Sequence, residues 1–156
     1  GRGGEREGYA PDPRDEGERS HTVIIGFTGT RLGMSLSQRA QFNRVFPVLC
    51  NFVTSEFHHG GAYGADTEAW HMVLAFGMSP EYIHWHPCPG VVATEETLTH
   101  HWHEVLLPLR RNKEIVNESA ILIAAPSRNE EELWSGTWAT IRYARTKGIP
   151  VVMLSR

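Results

Sequence analysis

Residues 120–125 read AILIAA, six apolar residues with no polar alternation. A strand with one face in water alternates apolar and polar residues. One that is apolar throughout needs cover on both faces, as the central strand of a parallel sheet does. That constraint calls for helices on two sides of a sheet, and the rest of the chain supplies them. Residues 21–27 (HTVIIGF) form a β-branched run that stops at Thr28-Gly29-Thr30, and predict a first strand. Ser35 with Gln38 three residues on is a capping-box signature. Phe42, Val45, Phe46, Leu49, Phe52 and Val53 follow at helical spacing, with Pro47 expected to kink that helix or end it early.

Residues 54–58 predict a second strand closed by Gly60-Gly61, then a helix with Asp66 as N-cap and Gly77 as its stop. Residues 82–86 (YIHWH) predict a third strand. Residues 88–110, with Pro89-Gly90 early and Pro108 late, predict a loop with some helix, followed by a helix over residues 112–118 that Arg111 and Asn112 open. Beyond the central strand come a polar loop, a helix through Trp138, Ile141 and Ala144, and a last strand at residues 151–154. Strands separated by helices imply right-handed crossovers. The expected fold is therefore α/β: a Rossmann-like, doubly wound parallel sheet of about five strands in three layers, in the order 3-2-1-4-5. Residues 21–156 read as one domain. Residues 1–20 mix Gly, Pro and charge without a bulky aliphatic residue, and read as a disordered polar tail.

Composition narrows the partners. The net charge is −3, which argues against a broad electrostatic hold on nucleic acid, so nucleic acid is not the expected partner. No apolar run approaches the roughly 20 residues that span a bilayer, and no export signal is read at the N-terminus. Two cysteines make no disulfide framework, so a cytoplasmic protein without a membrane partner is expected.

Three predicted strand-to-helix turns share a chemistry. They are Thr28-Gly29-Thr30-Arg31, the stretch Gly60-Gly61-Ala62-Tyr63-Gly64-Ala65-Asp66, and Pro126 followed by Ser135-Gly136-Thr137-Trp138. In a parallel sheet all three lie along the carboxyl edge, where open α/β sheets bind ligands. Glycine brings backbone N–H groups close to an anion, and helix N-termini favour one. Ser135 and Thr137 add hydroxyls, Arg31 and Arg111 add charge, Asp66 and Asn112 add groups for a ribose or for fixing the loops, and Trp138 is placed to stack on a base. The expected ligand is a phosphate-bearing nucleotide or a molecule derived from one, with no further cofactor required.

These motifs, together with AILIAAP at 120–126, resemble the SLOG superfamily over about residues 22–154. That group joins the Lonely Guy (LOG) phosphoribohydrolases, the DprA DNA-processing proteins and small Rossmann-like nucleotide sensors. The resemblance implies a stand-alone nucleotide-binding domain of the sensor type. Two other readings stand beside it. One is a LOG-type hydrolase of an N-glycosidic or phosphate bond, with Asp66 or His59 as catalytic candidates. The other is a DprA-like module for single-stranded DNA. The resemblance also marks a departure: where LOG hydrolases carry a glutamate after their Gly-Thr, this chain has Thr140. Family members dimerise, and Val91, Val92, Leu106 and Leu107 would suit a homodimer.

Nine histidines complete the inventory. His84-x-His86 near Cys88, and His100-His101-x-His103, place imidazoles two apart, so that they project the same way from a strand. Neither set has the paired four-ligand spacing of a structural zinc site, so no metal is expected.

Overall fold

The computed structural model describes residues 23–156; the tail read at 1–20 lies outside them. Six strands form one sheet: β1 (Ile24–Gly29), β2 (Glu56–His59), β3 (Ile83–Trp85), β4 (His101–Trp102), β5 (Ile121–Ala125) and β6 (Val151–Met153). Four α-helices connect them: α1 (Leu36–Leu49), α2 (Ala65–Ala75), α3 (Pro108–Glu118) and α4 (Gly136–Thr146). Every pairing is parallel and the order is β4-β3-β2-β1-β5-β6. This is the expected Rossmann-like α/β architecture. The expected order of five strands holds from β3 to β6, and one strand is added at the β3 edge. The short β4 comes from the stretch read as loop, where two residues carry too little pattern to announce a strand.

Burial on both faces of β5 sets the layers. Ile123 and Ala125 face a core built with Ile25, Phe27, Phe57 and Ile83 of the sheet, and Phe42, Phe46, Ala69 and Val73 of α1 and α2. Phe27, Phe42, Phe46 and Phe57 meet there largely edge-to-face, the geometry that aromatic quadrupoles favour. Leu122 and Ala124 face the other way, against Val116 of α3 and Trp138, Ile141 and Ala144 of α4. α3 packs over β1, and α4 over β5 and β6. On that second face the strands β2, β3 and β4 carry histidines instead of aliphatic residues.

Three local expectations change. α1 ends at Leu49, two residues past Pro47, so the early end expected of the proline leaves Phe52 and Val53 outside the helix; a proline in the last turn costs one hydrogen bond without breaking what precedes it. α3 begins at Pro108, whose fixed φ suits the first helical position, so Arg111 and Asn112 lie inside the helix instead of opening it. α2 is capped by Gly64 at φ +87, and Asp66 sits one residue inside its first turn. No helix of the described residues is long and apolar enough to cross a membrane.

Gln38 ties the first helix to the sheet. Its side chain completes the capping box with Ser35, and its Nε2 donates to the carbonyls of Pro126 (2.8 Å) and Leu154 (3.0 Å) in a fully buried setting. Gln38→Leu keeps the size, strands the Leu154 carbonyl and leaves the Pro126 carbonyl only the long contact from Arg156 Nη1 at 3.5 Å. The expected loss is about 2–4 kcal/mol of unfolding free energy in urea titrations, from the lost donors to buried acceptors and a weakened cap.

Candidate functional site

The connection after β1 leads towards β2 and the connection after β5 leads to β6, so a crevice opens at their carboxyl ends. A cavity of about 780 Å³ occupies it, within the usual size of small-molecule sites. Thr28, Gly29, Thr30 and Arg31 line it from β1, and Ala62 and Asp66 from the turn after β2. Arg111 and Asn112 reach it from α3, and Ser135, Gly136 and Thr137 from the start of α4. Eleven expected site residues thus share one cavity.

Two features make this cavity attractive to an anion. The first is the α4 N-terminus. Ser135 caps it by accepting from Trp138 N–H at 3.2 Å, which leaves the earlier amides without intrahelical partners. No acidic residue stands in that first turn, and a Cβ added at Gly136 would meet nothing within 4 Å. The second is paired guanidinium charge. Arg31 is exposed at the rim. Arg111 is buried, with Nη1 donating to the carbonyls of Gly60 (2.7 Å) and His86 (3.1 Å) and Nε to Asn112 Oδ1 (2.7 Å). The arginine–carboxylate ion pairs of the described residues use Arg39 and Arg142 and leave Arg31 and Arg111 out. The lining loop does hold Glu131 and Glu132, but Arg142 takes the first at 3.0 Å and Ser127 donates to the second at 3.0 Å.

Asp66 is the buried acid of the cavity. Its Oδ2 accepts from Ala62 N–H at 3.3 Å, while Oδ1 is buried with no hydrogen-bond partner among the described residues. Burial pushes its carboxyl up to about 6, against the opposing pull of Arg111, of the Ala62 and Gly60 amides, and of Arg31. Such a group, ionising near neutrality beside a cavity, can accept from a ligand hydroxyl or exchange a proton with it.

The other expected residues have different work. A Cβ at Gly29 would come within 2.5 Å of Ala65, at Gly60 within 2.5 Å of Arg111, and at Gly64 it would strike the Arg31 carbonyl. These glycines let the turns pack on one another; among the glycines expected at the site, only Gly136 faces open space. Gly60 and Gly61 line a second cavity, and Gly64 lines neither. The Pro126 carbonyl is spent on Gln38. Trp138 is 4% exposed against Ala124 and Ile141, with its indole N–H donating to the Arg128 carbonyl, so it is core and offers no stacking face. His59 is fully buried between His100 and the Gly61 amide, away from both cavities.

The second cavity, about 840 Å³, lies on the β2–β3 side and shares Arg31, Ala62, Pro108 and Arg111 with the first. Its walls are more apolar: Trp70, Trp85, Val91 and Val92. Two residues at the mouths were missed in the sequence. Trp134, on the loop before α4, is 97% exposed beside the first cavity, and Tyr63 is 89% exposed beside the second. A bare tryptophan between acidic residues and a helix cap was the available signal, since a loop tryptophan with no core to enter suits a contact surface.

No protein-family model matches the chain, and no curated protein matches it. Among solved structures it is similar to DNA processing protein A from Helicobacter pylori, a structure concerned with that protein's single-stranded DNA binding mode. The TM-score is 0.57 at 15% sequence identity, over 84% of this chain and 64% of that one. The chain has a DprA-like Rossmann fold. It spans less than two thirds of that neighbour's length.

Asp66 supplies a pH test. Its folded pKa lies above the 3.8 of an ordinary aspartate, so between those values the folded state binds more protons than the unfolded one. Its contribution to stability is greatest below about pH 4 and falls as pH rises through about 6. Relative to Asp66→Asn, the native protein should lose about 2–3 kcal/mol between pH 4 and 7. Parallel urea titrations of both proteins across that range check it; equal slopes would place the carboxyl at an ordinary pKa.

Proposed function

We propose that the two adjoining cavities form one nucleotide-binding cleft, with phosphate at the α4 N-terminus and the base towards the apolar side or on Trp134. The observation that carries this is the convergence on one cavity of open helix amides, two hydroxyls and two guanidinium groups that form no ion pair among the described residues. Helix amides and arginine forks favour phosphate, and the unpartnered Asp66 oxygen suits a ribose hydroxyl. Binding is favoured over cleavage. Thr140 is buried and its hydroxyl donates to the Gly136 carbonyl at 2.8 Å, so the helix position of a LOG-type glutamate offers no carboxylate.

A second reading, binding of single-stranded DNA, is favoured by the exposed Trp134 and Tyr63 at the cleft mouths and by the likeness to DNA processing protein A. Bases stack on such rings without sequence preference.

The two separate by ligand size and salt. Thermal stability is measured with nucleoside mono-, di- and triphosphates, ADP-ribose, cyclic nucleotides and NAD, and binding with oligo(dT). A mononucleotide at about a hundred times its dissociation constant adds roughly 2.7 kcal/mol. Arg31→Ala should weaken it roughly 10–100-fold through one lost charged contact, and Gly136→Asp should abolish it. Tight, steeply salt-dependent oligo(dT) binding without any mononucleotide effect would overturn the mononucleotide assignment in favour of strand binding.

A further inference from the structure

We propose that this protein carries a divalent transition-metal site, of Zn²⁺ type, on the second face of the sheet, with His58, His86, His103 and Glu118 as ligands. The strands bring the histidines together. β2, β3 and β4 are adjacent and in register, with His58 opposite His84 and His84 opposite His101. Side chains two apart share a face, so Glu56 and His58, His84 and His86, and His101 and His103 form a polar lattice. Its rings stack, with centroids 4.2 Å apart for His58 and His84 and 3.9 Å for His86 and His103. Glu118, the last residue of α3, reaches in from above.

The donor spacing fits one ion. His58 Nδ1 lies 2.8 Å from His86 Nε2 and 3.2 Å from Glu118 Oε2, and His86 Nε2 lies 3.6 Å from that oxygen. His103 Nδ1 is 3.9 Å from Glu118 Oε1, and one donor atom from each of the four residues falls within 4.8 Å of the others. Tetrahedral ligands with bonds of about 2.0–2.1 Å stand about 3.3 Å apart, inside this range. Imidazole nitrogens with one carboxylate are a donor set suited to zinc and its neighbours.

The surroundings fit a metal better than a metal-free cluster. Glu118 Oε2 is buried with no hydrogen-bond partner among the described residues, while the two imidazole nitrogens that face it, His58 Nδ1 and His86 Nε2, pair with each other; a shared cation would satisfy the oxygen and take both nitrogens. One ligand, His103, also has its outer partners in place. With Nδ1 on the metal, His103 keeps its proton on Nε2, 2.7 Å from His84 Nδ1, and His84 Nε2 in turn stands 2.7 Å from Glu56 Oε1. Carboxylate–histidine relays of this kind fix the tautomer of metal-bound imidazoles. The expectation of no metal rested on close spacing along the chain. Here the ligands come from strand β2, the segments just after β3 and β4, and a helix end, and a parallel sheet joins them regardless of sequence distance.

The test uses the full chain without an affinity tag, stripped with a chelator and titrated with Co²⁺ and then Zn²⁺. The site predicts one Co²⁺ per chain, intense visible bands of tetrahedral cobalt, their loss on adding one Zn²⁺, and a rise in melting temperature with either ion. Glu118→Gln and His103→Asn replace the two least buried ligands and should weaken Zn²⁺ at least about tenfold, the loss typical even of outer-shell changes. Circular dichroism confirms that each variant folds, and His86→Asn replaces either that does not. His71→Asn, on the outer surface of α2, should bind as the native protein does. A folded native chain that takes up neither ion, or uptake unchanged in both ligand variants, would overturn the assignment.

Discussion

Arg111 holds the carboxyl edge together. Its guanidinium is buried, and one nitrogen bridges the carbonyls that follow β2 and β3, at Gly60 and His86. A charge taken out of water needs such partners, and removing them would leave it uncompensated. The contact has three consequences. It locks α3 over the sheet edge and places a positive field between the two cavities, since Arg111 lines both. It counters the burial of Asp66, whose carboxyl would otherwise be pushed further up. It also excludes any side chain at residue 60, because the guanidinium occupies the space a Cβ would need.

The same contact links the nucleotide cleft to the histidine lattice. The His86 carbonyl belongs to the cleft through Arg111, while the His86 ring belongs to the polar face of β2, β3 and β4. α3 spans both regions: Arg111 in its second turn lines the cleft and Glu118 at its end meets the histidines. One helix therefore sets the geometry of both, and a shift along its axis would move a phosphate-binding charge and a ligand carboxylate together.

Sequence and structure agree over most of the repeating patterns, the exception being Phe52 and Val53, which continue the helical spacing but lie beyond the end of α1. Residues 120–125, apolar on both faces, did become the strand with cores on either side, and the capping box at Ser35 and Gln38 did start the first helix. They part where one residue type has two uses. Glycine in a turn serves a ligand's approach or the chain's own packing. Gly29, Gly60 and Gly64 serve packing, while Gly136 leaves space open. Tryptophan next to a glycine-rich turn serves stacking or core, and Trp138 went to the core while Trp134, four residues earlier, stayed in water.

The sequence by itself determined the layer order, the strands β1, β2, β3, β5 and β6, and the three turns at the carboxyl edge. Periodicity and capping are local, and they act within a few residues of one another. Only the tertiary structure decided which turn residues face a cavity, that Arg111 is buried and bridging, and that His58, His86 and His103 share one face with Glu118. Those facts depend on register between strands and on where a helix end comes to rest. Both are set by the packing of the whole sheet, and no window of sequence contains them.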